Sequence, residues 1–359
     1  MFPLFFVIFL LLLFFFYLDI RPIKRLKKLE KGLSYKVKIP QNIYRYNVAI
    51  HIHTQFSRDS LGKPSDIKKA MEVNAIDYAF ITDHDNDNYK FFEDERTITG
   101  VEKNTPSGRL LLLGNKIPVI SHPNNFEFDH YRWKGEFKED HLYEIINIKD
   151  AIVWNKPLTI ATLIKNIFFW PFTRNLLRKW NSLIPLETWS KLYTERAKKL
   201  KIIGGLDIHI KAVYQEHTHG ILIPSYINGF RWLINKIYSR KPIKNKESIM
   251  KAIANGNLYL SIEGFEGDFL CTKNGKVFLP GEKVPSGSIL NISAKKKKTL
   301  KMIKKDGNPI KITDKPAFTF KLEDEGFYHV EVFEYDFRLG NLYFGFKPVA
   351  ITNYFEVTK

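Results

Sequence analysis

Two histidines one residue apart close an apolar run of strand character in the stretch YNVAIHIHTQFSRD, Tyr46 to Asp59. Side chains i and i+2 of a strand share a face. His51 and His53 are therefore expected to present two imidazoles side by side, a geometry that one divalent metal accepts. A polar loop and a carboxylate, Asp59, follow at once. A histidine pair alone specifies little. The constraint comes from later apolar runs that end in matching ligands.

Val48 to Ile52 reads as a strand, and residues 64–74 read as a helix with Ile67, Ala70 and Met71 on one side. Asp77 to Thr82 is a second apolar strand that runs straight into Asp83, His84 and Asp85. Strand, helix, strand is a β/α unit. Further short strands are expected at 97–101, 110–113, 117–121, 143–147 and 201–206, the last two separated by a helical stretch over 157–200. Repeated strands with polar C-terminal ends predict a β/α barrel whose site lies at those ends. The ends carry His51, His53, Asp59, His84, Glu102, His122, Asp207 and His209, five of the ten histidines in the chain. Imidazoles and carboxylates without a thiolate suit zinc, manganese or iron.

Read in order, HIH (51–53), TDH (82–84), GVE (100–102), SHP (121–123) and GLDIH (205–209) form an ordered set. It resembles the PHP (polymerase and histidinol phosphatase) family of metal-dependent phosphoesterases over residues 47–210. The resemblance implies a distorted seven-stranded β/α barrel holding two or three divalent ions. Carried over by position, it implies that His51, His53, Glu102 and Asp207 hold the first ion. Glu102 would bridge to a second ion that His122 also binds, and Asp59, His84 and His209 would hold a third. Two positions depart from the family pattern. Arg58 intervenes between Ser57 and Asp59, and Arg109 stands where many members carry a histidine ahead of a Leu-Leu run. An arginine stays protonated and cannot ligate a cation. Arg109 is left with two readings, a bidentate grip on a substrate phosphate or a solvent-facing residue at a strand start.

The implied chemistry is hydrolysis by water that the ions activate, with the ions also clamping a phosphoryl oxygen. Asp83 or Asp85 could orient a ligand imidazole or shuttle a proton. The expected substrate is a small phosphomonoester or a nucleotide end. Two alternatives stay open: a metal-binding module that has lost catalysis, and a single-strand nuclease, for which the net charge of +18 is the motive. Much of that charge sits in lysine runs that also read as solvated faces. His217 and His219 repeat the HxH spacing in what reads as a surface loop, and His130, His141 and His329 read as structural.

At the N-terminus, Met1 to Leu18 is apolar without a charged side chain, roughly 27 Å as a helix. No small-residue cleavage pattern follows, so an uncleaved transmembrane helix is expected. The basic residues after it place the catalytic bulk in the cytoplasm, an exported face being the alternative. The expected organisation is an anchor (1–20), a basic juxtamembrane linker (21–45) lying on membrane lipid, the hydrolase domain (46–256), and an all-β sandwich (257–359) announced by short strands and glycine turns. The single cysteine, Cys271, excludes intrachain disulfides and a Cys-rich zinc site.

Overall fold

The apolar N-terminal block is helical, α1 (Phe2–Ile20), but it ends docked on the body of the protein. In this computed structural model, residues 2–173, 178–214 and 221–359 are described, and His217 and His219 lie outside them. The Phe15 ring packs on Phe168 and Phe169, with centroids 5.4 and 5.8 Å away. Asp19 accepts a hydrogen bond of 2.6 Å from Lys165, and the Ile20 carbonyl accepts one from the Gly345 amide. Phe5 to Phe14 is the apolar stretch that remains before this docked end, short of the ~20 residues that a bilayer core requires. Among the described residues, no helix is long and apolar enough to cross a membrane. The expected transmembrane anchor, and the single-pass membrane placement drawn from it, are corrected accordingly.

The basic segment after α1 pairs with the C-terminal third of the chain. Strand β1 (Ile23–Arg25) runs antiparallel to Leu342–Phe344, and β2 (Leu33–Ser34) runs antiparallel to Ala317–Leu322. Strand β3 (Tyr44–Ile52) then enters the core, its last five residues fully buried. Helix α2 (Pro64–Val73) starts on a proline that needs no amide partner at that position. It buries Ile67, Ala70 and Met71, an i, i+3, i+4 stripe. Strand β4 (Tyr78–Ile81) is apolar throughout and buried on both faces, as a parallel strand covered from either side should be. It pairs with β5 (Thr97–Thr99).

The β3–β4–β5 ladder belongs to an eleven-stranded sheet. It continues antiparallel through Leu233–Ser239, Leu258–Ile262, Lys347–Thr352 and Gly326–Glu334. A second sheet of five strands holds the remaining predicted strand ends. Its members are β6 (Val101–Thr105), β7 (Gly108–Leu113), β8 (Ile117–Ile120), β9 (Leu142–Asn147) and β10 (Lys201–Gly205), in the order β10-β9-β8-β7-β6. The two sheets meet at the strand ends through two isolated bridges, Ile52 with Ile208 and His84 with Glu102.

The expected barrel is thus corrected: the strands divide between two sheets joined by single bridges, and among the described residues no continuous ladder closes them. The expected C-terminal sandwich region is not a detached unit. Asn235 pairs with Val48 on one side and with Leu260 on the other, and Leu260 pairs with Ile351, so C-terminal strands extend the sheet that carries His51. The sequence reading located the strands; their partners depend on side-chain packing across 200 residues that local patterns do not carry. Buried apolar side chains from both halves form one large cluster, among them Ile50, Ile52, Phe80, Ile203, Leu260 and Ile351. At ~25 cal/mol per Å² of buried apolar surface, this shared core holds the two sheets in fixed relation.

Candidate metal centre

The pocket lies at the seam between the sheets, where three strands break off in strained backbone. His51, His122 and Asp207 all have positive φ, 66°, 52° and 47°. Left-handed backbone costs a non-glycine residue ~1 kcal/mol or more and persists where the surroundings impose it. At His51 the β3–β4 register slips between Ala49 and Ile52, so the two imidazoles do not sit on a regular strand face. They still converge, with ring centroids 5.1 Å apart.

Four of the predicted residues form one buried group. The donor atoms of His51, His53, Glu102 and Asp207 lie within 4.8 Å of one another and could hold a metal ion. His53 Nε2 is 3.4 Å from both Glu102 Oε2 and Asp207 Oδ1, and His51 Nε2 is 3.6 Å from the same two oxygens. His122 Nε2 reaches Glu102 Oε1 at 3.2 Å and Asp207 Oδ2 at 3.4 Å. A second group, His53, His84 and His209, could also hold an ion. Asp59 stands at its exposed edge, 3.2 Å from His209 Nε2 and 3.5 Å from His84 Nε2.

The fit of a cation is tested by what these atoms lack. His51 Nε2, His53 Nε2 and both Asp207 carboxylate oxygens are buried with no hydrogen-bond partner. Leaving such atoms unsatisfied costs about 1–3 kcal/mol each, more where charge is involved. Four orphans converging on one point is the pattern a divalent ion resolves.

Each imidazole is turned toward that point by its other nitrogen. His51 Nδ1 bonds Glu144 Oε1 at 2.6 Å, His122 Nδ1 bonds Asp150 Oδ1 at 2.9 Å, and His53 Nδ1 bonds Ser57 Oγ at 3.1 Å. His209 Nδ1 faces the backbone carbonyl of Asp207 at 3.1 Å. A proton held on Nδ1 leaves Nε2 as the free ligand atom. Glu144 also takes Ser121 Oγ, the His122 amide and Asn147 Nδ2, so one buried carboxylate braces two candidate ligand residues.

The field in the pocket is that of surplus negative charge. Burial pushes the His51 pKa down, yet Glu144, Asp207 and Glu102 outweigh it and raise it to about 10. His122 is likewise raised, against burial, by Asp150 and Glu102. Burial would raise Glu102 and Asp207, but the cationic neighbours win and hold both well below the usual carboxylate range. For Asp207 the strongest of these neighbours is Lys149, and for Glu102 it is His51. Opposite charge is what the cluster attracts.

Asp83 and Asp85 do not face the imidazoles. Asp83 accepts from the amide and hydroxyl of Thr54 at 2.6 and 2.7 Å, clamping the loop after His53. Asp85 accepts from the amide and side chain of Asn104. Arg109 is not solvent-facing: its Nη1 lies 2.9 Å from both Glu102 Oε2 and His84 Nδ1, with Tyr131 across its guanidinium at 4.2 Å. The sequence reading missed Glu144, Asp150, Lys149 and Tyr131. Glu144 had a visible signal, a carboxylate in the middle of the apolar run LYEIIN. The glycine before Leu206 has its reason here too, since a Cβ at Gly205 would lie 1.7 Å from Glu144 Oε1.

No family model matches the chain, and no curated protein matches it. Among solved structures, it is similar to a two-domain protein from Bacteroides vulgatus containing a predicted PHP-like metal-dependent phosphoesterase. That likeness covers 89% of this chain and 98% of the other, at 13% identity and a TM-score of 0.32.

Proposed function

We propose that the chain is a metal-dependent hydrolase of phosphoric esters, acting on a small phosphomonoester or a nucleotide end. The observation that carries the reading is the convergence of partnerless Nε2 atoms of His51 and His53 with both Asp207 oxygens beside Glu102. In this reading His51, His53, Glu102 and Asp207 hold one divalent ion (zinc, manganese or iron). Glu102 and His122 offer ligands for a second, and Asp59, His84 and His209 for a third. Such an ion supplies Lewis-acid polarisation of a phosphoryl oxygen and lowers the pKa of water.

The chain's own groups do the remainder. Glu144 and Asp150 keep the protons of His51 and His122 on Nδ1. Arg109 and Lys149, at the edge of the cluster, offer cationic N–H groups to the anionic oxygens of a substrate. Lys149 Nζ stands 3.5 Å from Asp207 Oδ2 with about a third of its side chain exposed (32%), so it meets both the cluster and the solvent. Burial of the ligands strengthens each of these interactions by excluding bulk water.

Metal analysis combined with a generic aryl-phosphate assay tests the proposal. Bound metal with turnover that His51→Ala abolishes supports it. Bound metal without turnover across a phosphoester panel supports the second reading, a binding module without catalysis. Arg109 favours that reading, since it stands where a histidine is expected for the second ion and holds Glu102, the carboxylate that would bridge to that ion. Cleavage of single-stranded oligonucleotides with steep salt dependence would point instead to a nuclease.

A further inference from the structure

We infer that Arg109 couples the metal cluster to an oxyanion, so that phosphate-like ligands and divalent cations strengthen each other's binding through this one side chain. The inference rests on the metal reading above and extends it to how the site is loaded.

Three observations carry it. First, Arg109 Nη1 sits 2.9 Å from Glu102 Oε2, the same oxygen that lies 3.4 Å from His53 Nε2 and 3.6 Å from His51 Nε2. A fixed positive charge thus shares a ligand atom with the candidate cation site, and like charges in a buried pocket oppose each other. Second, the same nitrogen lies 2.9 Å from His84 Nδ1, which ties the guanidinium to the other candidate group, His53, His84 and His209. Third, Arg109 Nε is buried with no hydrogen-bond partner. A guanidinium has five donors in a planar fork, and here one of them is aimed where no protein acceptor meets it.

An anionic oxygen at Nε satisfies that donor and offsets the guanidinium charge. The Arg109–Tyr131 stack holds the fork in place, and Lys149, 5.8 Å from the same ring, adds a second cation for a tetrahedral anion. With its charge offset, Arg109 opposes a cation at Glu102 less. Reciprocity then requires that a bound cation raise the affinity for the anion by the same factor. The arginine keeps the cluster weakly loaded until a phosphate-bearing ligand arrives.

The test is a titration with Mn²⁺, following the free ion by electron paramagnetic resonance, on the full chain with saturating sulfate or with chloride at equal ionic strength. For the wild type, sulfate is expected to tighten Mn²⁺ binding at least about fivefold. Arg109→Gln should bind Mn²⁺ tightly without sulfate and gain nothing from it. Arg109→Lys, which keeps the charge, should bind as weakly as the wild type in chloride. An Arg109→Lys chain as tight as Arg109→Gln, a sulfate effect that survives in Arg109→Gln, or a wild type indifferent to sulfate overturns the coupling. The wild-type comparison decides even if Arg109→Gln does not fold. A wild type that takes up no Mn²⁺ in either salt overturns the metal reading itself, which keeps the two failures apart.

Discussion

Replacing Glu144 by glutamine removes one charge from a residue that stands behind the candidate ligands and is not one of them. One Glu144 oxygen receives His51 Nδ1 at 2.6 Å, while the other receives Ser121 Oγ, the His122 amide and Asn147 Nδ2 at 2.8, 3.1 and 3.1 Å. A glutamine has one acceptor and one donor group where four donors now converge. If its oxygen serves the three donors, its NH₂ faces His51 Nδ1 and must donate to it. The imidazole proton then moves to Nε2, the atom aimed at Glu102 and Asp207, and a ligand is lost. The opposite orientation keeps His51 correct but leaves Ser121, His122 and Asn147 facing an NH₂. Mutation of carboxylates behind metal ligands typically costs 10–100-fold in affinity, about 1.4–2.8 kcal/mol. The tautomer argument places Glu144→Gln near the upper end. Calorimetric titration with Zn²⁺ or Mn²⁺ measures it, with Glu266→Gln, a partly exposed carboxylate paired with Lys236, as the control. Metal affinity within threefold of the wild type, in a folded Glu144→Gln protein, would refute the reasoning.

Gly205→Ala should act through the same carboxylate. Its Cβ would stand 1.7 Å from Glu144 Oε1, so Glu144 must leave His51, with an expected stability loss of about 1–3 kcal/mol from overpacking in thermal unfolding and weakened metal uptake. Chelation of the purified protein should lower its stability, because the ion binds only the folded pocket. With metal at a hundred times its Kd the difference is about 2.7 kcal/mol, read as a drop in Tm on adding chelator. Outside the candidate metal groups, Glu331 accepts from Ser190 Oγ at 2.5 Å and Lys304 Nζ at 2.7 Å. Burial opposes its ionisation, but Lys304 and His329 win and lower its pKa from 4.5 to about 2. A carboxylate depressed on folding contributes stability that is full above pH ~4.5 and is lost as the pH falls toward ~2, here about 3 kcal/mol. Urea unfolding between pH 7 and pH 3 should therefore show a gap between wild type and Glu331→Gln that narrows on acidification; a constant gap would contradict the assignment.

The candidate ligands could be picked out because chemistry is local in sequence even when the fold is not. A metal needs imidazoles and carboxylates, and these end short apolar runs that announce themselves as strands. Eight such residues, His51 through His209, lie around one seam between sheets. The sheet order was not legible. Asn235 and Leu260 pair across the division expected near residue 257, and nothing in either run names the other as its neighbour. The anchor was misread because hydropathy records the apolarity of Phe5 to Phe14 but not the docking of Phe15 and Asp19 onto Phe168 and Lys165. The supporting acids were missed for a third reason. Glu144 and Asp150 act through hydrogen bonds to His51 and His122, partners 93 and 28 residues away. The positive φ of His51, His122 and Asp207 is a product of that packing and leaves no trace in residue type.

Anomalous diffraction from a crystal grown with manganese or zinc, recorded at the metal's absorption edge, tests the central claim most directly. The account predicts a peak bounded by Nε2 of His51, Nε2 of His53, a Glu102 oxygen and an Asp207 oxygen. A metal-saturated crystal with no anomalous density among those four side chains would contradict it.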